Sequence, residues 1–167
     1  MALRSGLDAL STTSGKTYLV SRTPLDLALS PVLGTNGAMD YYYDVFADAA
    51  VRAATDYIMP QYYNGYNYVP TDATSALAHY ADMVDLFDGD SNRVVFGYCL
   101  EDCVDGFAVT ASRAVEVTTE LYATFPNHGG IFLSVYDARI IANNGDWVHG
   151  STGNFSLEKL ARKSHLF

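Results

Sequence analysis

The chain has 167 residues, enough for one domain with a sizeable core, and residues 1–167 are predicted to form a single domain. Apolar residues make up 49% of the sequence and charged residues 17%, which is typical of a globular chain and argues against disorder. The formal net charge of −9, with no basic run, argues against nucleic acid as a partner, because phosphate binding requires clustered Lys and Arg.

The sequence offers few signals for cellular compartment or for metal binding. Residues 1–7 lack the unbroken apolar region of a signal peptide, and the localisation is left open. No apolar run approaches the roughly 18 residues of a membrane span, so we expect no membrane span. Cys99 and Cys103 either pair across a loop or are two free thiols. Two cysteines and four scattered histidines offer no zinc-like ligand set, so neither a metal nor a cofactor is expected.

Helical and extended patterns alternate along the first half of the chain. Leu side chains recur at helical spacing in residues 2–11, and Gly15 supplies a typical helix stop. A short apolar strand is predicted over 16–21. After an irregular loop, a helix is predicted over 41–54 and a second strand over 55–63.

The second strand carries the candidate site. Tyr57, Met59, Gln61 and Tyr63 share one face of it, because side chains of an extended segment alternate with period two. An apolar start followed by an amide and a phenol is the pattern of a strand that meets a ligand at its carboxyl end. Pro60 removes a backbone donor from the ladder, which predicts a bulge or a local distortion there.

The alternation continues in the second half. Asp72 is a good N-cap for a helix that runs to about Phe87, and a third strand is predicted over 93–98. A helix follows over 110–125. Its buried candidates are Val115, Thr118, Thr119 and Tyr122.

A fourth strand is predicted over 129–137, and residues 157–164 can form a last short helix. Strands that alternate with helices call for parallel pairing and helical crossovers. The predicted fold class is therefore α/β.

Four segments, each matching a predicted strand, carry a family resemblance. Residues 56–64 read Asp-Tyr-Ile-Met-Pro-Gln-Tyr-Tyr-Asn, and residues 129–137 read Gly-Gly-Ile-Phe-Leu-Ser-Val-Tyr-Asp. They resemble the sixth and eighth strands of family 18 glycoside hydrolases, the chitinase-like (β/α)8 barrels. Plant and fungal members have Asp-Tyr and then Gln-Phe-Tyr-Asn in the sixth strand. Residues 16–21 and 94–98 resemble the fifth and seventh strands.

The resemblance covers roughly residues 1–150 and leaves 151–167 as a tail with a short helix. It implies four parallel βα units that correspond to the second half of a (β/α)8 TIM barrel. It also implies a chitin-type oligosaccharide, containing N-acetylglucosamine, as the ligand. Members of the family are usually secreted.

The resemblance implies roles for residues at the end of the second strand, and position at a strand end adds two further candidates. Tyr63 matches the family Tyr that hydrogen-bonds the reacting N-acetyl group, a positioning role in catalysis. Gln61 matches a substrate-contacting amide, and Asn64 belongs to the same motif. Tyr136 and Asp137 end the fourth strand and could line the same site. The alternative is that Gln61 and Tyr63 fill a polar upper layer of a barrel and that Tyr136 packs under a loop.

Two departures from the family separate this sequence from an active chitinase. The signature Asp-x-x-Asp-x-Asp-x-Glu, whose Glu protonates the leaving oxygen, occurs nowhere in the chain. In the fourth strand, Ser134 stands where the family has the Trp that floors the sugar site. The sequence therefore predicts that this chain is inactive by itself.

Four βα units cannot close a barrel, and open strand edges are an aggregation hazard. Either two copies pair, or another chain supplies the missing half, or the sequence is a truncated piece of a longer product. Two hypotheses follow from this. One is the C-terminal half of a chitinase-like hydrolase. The other is a catalytically dead chitinase-like protein that binds sugars or serves as a structural subunit of a larger assembly.

Overall fold

The computed structural model describes residues 2–30, 41–63, 69–100, 103 and 106–134. The predictions for Asn64, Tyr136, Asp137 and the last helix lie outside these residues. The described helices are α1 (Ala2–Ser14), α2 (Tyr41–Ala47), α3 (Ala49–Ala54), α4 (Ala73–Leu86) and α5 (Ala111–Thr124). The described strands are β1 (Ser21–Arg22), β2 (Tyr57–Ile58), β3 (Phe96–Cys99) and β4 (Ile131–Ser134).

The four strands are parallel and lie side by side in chain order. β1 pairs with β2 and β3 pairs with β4. Isolated parallel bridges from Ile58 to Val94 and from Gln61 to Gly97 join the two pairs. Helices separate consecutive strands along the chain, as parallel pairing requires. The predicted α/β class with parallel strands is confirmed. The first strand, however, pairs only at Ser21–Arg22, at the end of the predicted segment and one residue beyond it.

The ladder between β2 and β3 is interrupted at Pro60, where a local distortion was predicted. Val95 N–H donates to the carbonyl of Ile58 at 2.9 Å, and Tyr62 N–H donates to the carbonyl of Gly97 at 3.3 Å. Pro60, midway between Ile58 and Tyr62, has no N–H with which to donate the intervening bond. The strand therefore ends at Ile58, and pairing resumes only as the isolated bridge at Gln61.

Helix boundaries follow local capping chemistry. Asp72 caps α4 as predicted, because its side chain accepts hydrogen bonds from the N–H groups of Thr74 and Ser75. The single helix predicted over 41–54 is wrong, since the chain leaves helical geometry at Asp48. The Asp48 carboxylate accepts from Ala50 N–H and so starts α3 as a separate helix. α1 ends at Ser14, and Gly15 follows with a φ of +68°, which suits glycine.

Helices α4 and α5 cover one face of the sheet and form the core with it. Tyr62 stacks on Phe96 with ring centroids 4.1 Å apart, and both are buried. The Tyr80 hydroxyl of α4 donates to the Val94 carbonyl at 2.7 Å, and the Tyr98 hydroxyl lies 3.0 Å from Thr118 Oγ1 of α5. Because desolvation disfavours phenolate, burial raises the pKa of Tyr80 and of Tyr98.

The buried stripe of α5 differs from the predicted one. Its buried residues are Ala114, Val117, Thr118 and Leu121. Thr118 is therefore correct, whereas Thr119 is exposed and Val115 and Tyr122 are only partly buried. The observed buried residues lie one position before the predicted ones, which corresponds to a rotation of the helix by about 100°.

Arg4 fixes helix α1 to the segments that precede β1 and β2, and its Nη2 donates to the Tyr18 carbonyl at 2.9 Å. Arg4 Nη1 lies 2.8 Å from Asp56 Oδ2, and the same oxygen accepts from Val20 N–H at 2.6 Å. The predicted apolar stripe of α1 is not buried, because Leu3 is 65% exposed and Leu10 is 45% exposed. Of the described helices, none is both long and apolar enough to cross a membrane.

Candidate functional site

The face of the sheet that turns away from α4 and α5 is called the open face. Paired residues of parallel strands point to the same side, so the bridges define a row across it. This row consists of Leu25, Gln61, Gly97 and Phe132. Two residues further toward the carboxyl ends, Cys99 pairs with Ser134, and Tyr63, two residues after Gln61, contacts the Ser134 side chain. Loops at the carboxyl ends of parallel strands are where α/β proteins bind ligands.

Exposure of residues 57–62, which are β2 and the segment that follows it, agrees with this geometry. Tyr57, Met59 and Gln61 are partly exposed, whereas Ile58 and Tyr62 are buried on the helix side. The alternation is the one expected when only one face of a strand is covered. Tyr57, Met59 and Gln61 of the predicted set fit this alternation, whereas Tyr63 is buried although the register places it on the same face.

Tyr63 lies at the carboxyl end of the open face and is only 5% exposed. Burial raises the pKa of its hydroxyl, and a hydrogen bond with the Ser134 side chain opposes this rise. Tyr63 therefore remains a neutral phenol around pH 7. A neutral phenol that accepts from Ser134 can still donate its own proton to an acceptor.

Gln61 lies two residues before Tyr63 and links the segment after β2 to the segment after β1. Its side-chain amide donates to the carbonyl of Thr23 at 2.5 Å, and its backbone N–H donates to the carbonyl of Pro24 at 2.9 Å. The side-chain oxygen of a bonded amide remains an acceptor for a ligand hydroxyl or N–H. Gln61 and Tyr63 are thus brought to one edge, as predicted, while Asn64, Tyr136 and Asp137 lie outside the described residues.

A disulfide closes the loop after β3. Cys99 and Cys103 are bonded, which settles the alternative that the sequence left open. Cys99 is the register partner of Ser134, so the disulfide begins directly beside the residue that contacts Tyr63. Val109 N–H donates to the Cys99 carbonyl at 3.0 Å and ties the far end of the loop to β3. The disulfide therefore restrains one wall of the site.

Phe132 is the second aromatic side chain at this edge. Its ring centroid lies 6.3 Å from that of Tyr63, with the planes inclined by 68°. Its Cε1 and Cζ atoms occupy the space above Gly97, where a Cβ would come within 2.4 Å of each of them. Gly97 is thus needed for close approach. The sequence patterns did not single out Phe132, although its place two residues before Ser134 puts it on the same face.

A buried polar cluster on the opposite face was also missed. The Tyr62 hydroxyl lies 3.1 Å from His79 Nδ1, and Asp26 is fully buried nearby. Burial lowers the pKa of His79, although the charges of Asp26 and Asp82 and a contact with the Leu29 carbonyl oppose the effect. Burial likewise raises the pKa of Tyr62. The signal was available in the helical spacing, since His79 falls on the apolar stripe of α4.

Asp26 follows β1 at the carboxyl edge but is not positioned as a catalytic acid. Its backbone N–H donates to the Gln61 carbonyl at 3.2 Å, while its carboxylate accepts from Leu27 N–H at 2.7 Å. The carboxylate is enclosed beside Tyr62 and His79, on the face that the helices cover. It therefore has no access to a ligand on the open face.

A cavity of about 370 Å³ lies at the amino ends of the strands, away from Gln61 and Tyr63. Three of its polar side chains, those of Arg93, Asn92 and Asp56, are already bonded within the protein. Arg93 donates to the Thr55 carbonyl at 2.6 Å, and Asn92 donates to Asp90 at 3.1 Å. Asp56 is held by Arg4. We therefore assign this cavity no role in ligand binding.

Metal ligands do not converge in the described part of the chain, where no three His, Cys, Asp or Glu side chains are close enough to hold an ion.

A scan against models of known protein families finds no match for this sequence, and a search of curated proteins finds no significantly similar one.

Proposed function

We propose that this chain is half of a chitinase-like barrel of family 18 type and that it contacts glycans containing N-acetylglucosamine. The observation that carries the proposal is the placement of Gln61 and Tyr63. Both lie on one face, at the carboxyl edge of parallel strands in sequential order. Sequential order, with a helical segment between strands, is what half of a (β/α)8 barrel requires.

The two side chains offer the chemistry that an acetamido sugar needs. A tyrosine hydroxyl is protonated at pH 7, and burial raises the pKa of Tyr63 further, so this hydroxyl can donate to the carbonyl oxygen of an N-acetyl group. The Gln61 amide oxygen can accept from a sugar hydroxyl or from the acetamido N–H. Hydrogen bonds from a partly exposed Gln61 and a buried Tyr63 can orient a sugar without any covalent step.

Hydrolysis by this chain alone is not part of the proposal. Cleavage of a glycosidic bond needs a carboxylic acid that protonates the leaving oxygen. The family signature that supplies this acid is absent from the sequence, and Asp26 faces the helix side. The chain is therefore proposed to hold the sugar and to depend on another source for the acid, or to act as a binding protein without catalysis.

A second half-barrel, either another copy of this chain or a different one, is proposed to complete the fold. The open face leaves Met59, Gln61 and Phe132 partly exposed, and β1 and β4 have described partners on one side only. Sedimentation analysis of the purified chain tests this point. A monomer with a stable, cooperative thermal transition would contradict the half-barrel interpretation.

Calorimetric titration with the trisaccharide of β-1,4-linked N-acetylglucosamine tests glycan binding, with cellotriose as the ligand that lacks acetamido groups. We expect the acetylated sugar to bind more tightly. Tyr63→Phe should weaken binding by up to about tenfold, which is the upper range for one neutral hydrogen bond. The matched control is Tyr57→Phe, on the same face but about 20 Å away at the amino end, which should leave affinity unchanged.

A fluorogenic chitobioside separates the hydrolase half from the binding protein. We expect no turnover by the purified chain. Turnover that disappears in Tyr63→Phe would contradict the proposed inactivity and would reveal an acid elsewhere in the chain. Binding without turnover supports either form of the proposal, and gain of turnover on adding a second half-barrel chain would select the hydrolase form.

A further inference from the structure

We propose that Phe132 is the aromatic wall of the sugar site and that the apolar face of a pyranose ring stacks on it beside Tyr63. The inference rests on the proposed function and adds a residue that decides which sugars fit. It starts from the placement of Phe132: its partly exposed side chain lies on the open face, two residues before Ser134, which contacts Tyr63.

The ring of Phe132 is held in place from below and from the side. Its tip fills the space above Gly97, its direct register partner, and Tyr63 approaches with its ring inclined by 68°. The carbonyl oxygen of Pro60 closes the same space, since it would lie 2.7 Å from a Cβ on Gly97. A ring that is anchored in this way loses little conformational freedom when a ligand binds, so its contact area is available for affinity.

The neighbouring groups select the chemistry of the ligand. A β-linked pyranose with equatorial substituents presents axial C–H groups on each face, and these pack well on an aromatic ring. Stacking on Phe132 would bring the edge of the sugar toward the Tyr63 hydroxyl and Ser134, which supply polar partners. An apolar wall beside a few oriented polar groups is the usual composition of a small-molecule site.

Two variants of matched chemistry test the proposal by titration with the β-1,4-linked N-acetylglucosamine trisaccharide. Phe132→Leu removes the flat surface and keeps an apolar side chain, and we expect its Kd to rise about tenfold. Phe125→Leu makes the same change in a Phe that is also partly exposed but packs against the core through Tyr80. Its Kd should stay within about twofold of that of the unaltered chain. An equal loss of affinity in both variants would overturn the proposal.

A second measurement needs no substitution. In saturation-transfer NMR, magnetisation passes from aromatic protons of the protein to the C–H protons of a bound sugar. We expect the transfer to fall when the chain is prepared with ring-deuterated phenylalanine. Unchanged transfer would overturn the role of Phe132, even if Phe132→Leu fails to fold.

The outcomes distinguish this inference from the function on which it rests. If the unaltered chain binds no N-acetylglucosamine oligomer, both the proposed function and the stacking role of Phe132 are refuted. If the chain binds the trisaccharide and Phe132→Leu binds it equally well, only the aromatic wall is refuted. Loss of affinity in Phe132→Leu with retention in Phe125→Leu supports both.

Discussion

Replacement of Gly97 by Ala tests the packing at the centre of the open face. A Cβ at this position would lie 2.4 Å from Cε1 and from Cζ of Phe132, and 2.7 Å from the Pro60 carbonyl oxygen. Real Cβ contacts are not this short, so the Phe132 ring must move and the backbone at Pro60 must shift as well. The backbone at Gly97 does not have a positive φ, so steric crowding alone sets the cost.

The expected cost follows from overpacking. Insertion of a methyl group into a well-packed core destabilises a protein by about 1–3 kcal/mol, and contact with a backbone oxygen favours the upper half of that range. A loss of about 2 kcal/mol lowers the melting temperature of a domain of this size by roughly 4–8 °C. Gly6→Ala is the control, because nothing lies within 4 Å of the added Cβ and Gly6 is inside α1. It should stabilise that helix by up to about 1 kcal/mol.

A double-mutant cycle in urea separates the two obstacles. In a Phe132→Ala background the ring is gone and only the Pro60 carbonyl remains, so Gly97→Ala should cost at least about 1 kcal/mol less than in the unaltered chain. An equal cost in both backgrounds would show that the ring is not the obstacle. A neutral or stabilising Gly97→Ala in the unaltered chain would refute the close packing of Phe132 on Gly97.

Three further substitutions test other contacts. Because burial lowers the pKa of His79, the unfolded state binds a proton that the folded state excludes, so the free energy of unfolding should fall as the pH drops below about 6.5. His79→Asn can retain the hydrogen bond with Tyr62 and should make this fall less steep. Urea unfolding at several pH values measures the effect, and equal pH dependence in the two proteins would contradict it. Replacement of both Cys99 and Cys103 by Ser removes a cross-link of sequence separation 4 and should lower the free energy of unfolding by about 2 kcal/mol. An unchanged denaturant midpoint would argue against a structural role for the disulfide. The Thr110 side chain caps α5 by accepting from Arg113 N–H at 3.2 Å. Thr110→Ala should therefore lower the free energy of unfolding by about 1 kcal/mol, whereas Thr110→Ser should leave it unchanged. Equal melting temperatures for the two variants would refute the cap.

Local chemistry accounts for the features of the fold that could be predicted from sequence. The start of α4 follows from the Asp72 side chain and the N–H groups two and three residues later. The interruption at Pro60 follows from a donor that proline lacks. Asp48 was the same kind of signal as Asp72, but helix-forming residues on both sides concealed it, and a single helix was inferred.

The site was predictable only within one strand. Period two places Gln61 and Tyr63 on a common face without knowledge of any other strand. Their surroundings depend on the register between strands that are distant in sequence. Ser134 reaches Tyr63, and Phe132 fills the space above Gly97, only because β4 pairs with β3 at Cys99↔Ser134 and Gly97↔Phe132. A shift of two residues would move both partners away, and no local pattern specifies that register.

The weak attachment of α1 has a consequence for how the protein opens. No residue of α1 is buried. Among the described residues, an ion pair between Arg4 and Asp56 connects the helix to the residue before β2. Partly exposed ion pairs contribute little free energy, so α1 should open locally far more often than the whole chain unfolds. Amide hydrogens of α1 should exchange with solvent well before those of α4 and α5. The first segment of the chain would then be a separate cooperative unit, cleavable by protease while the rest stays folded.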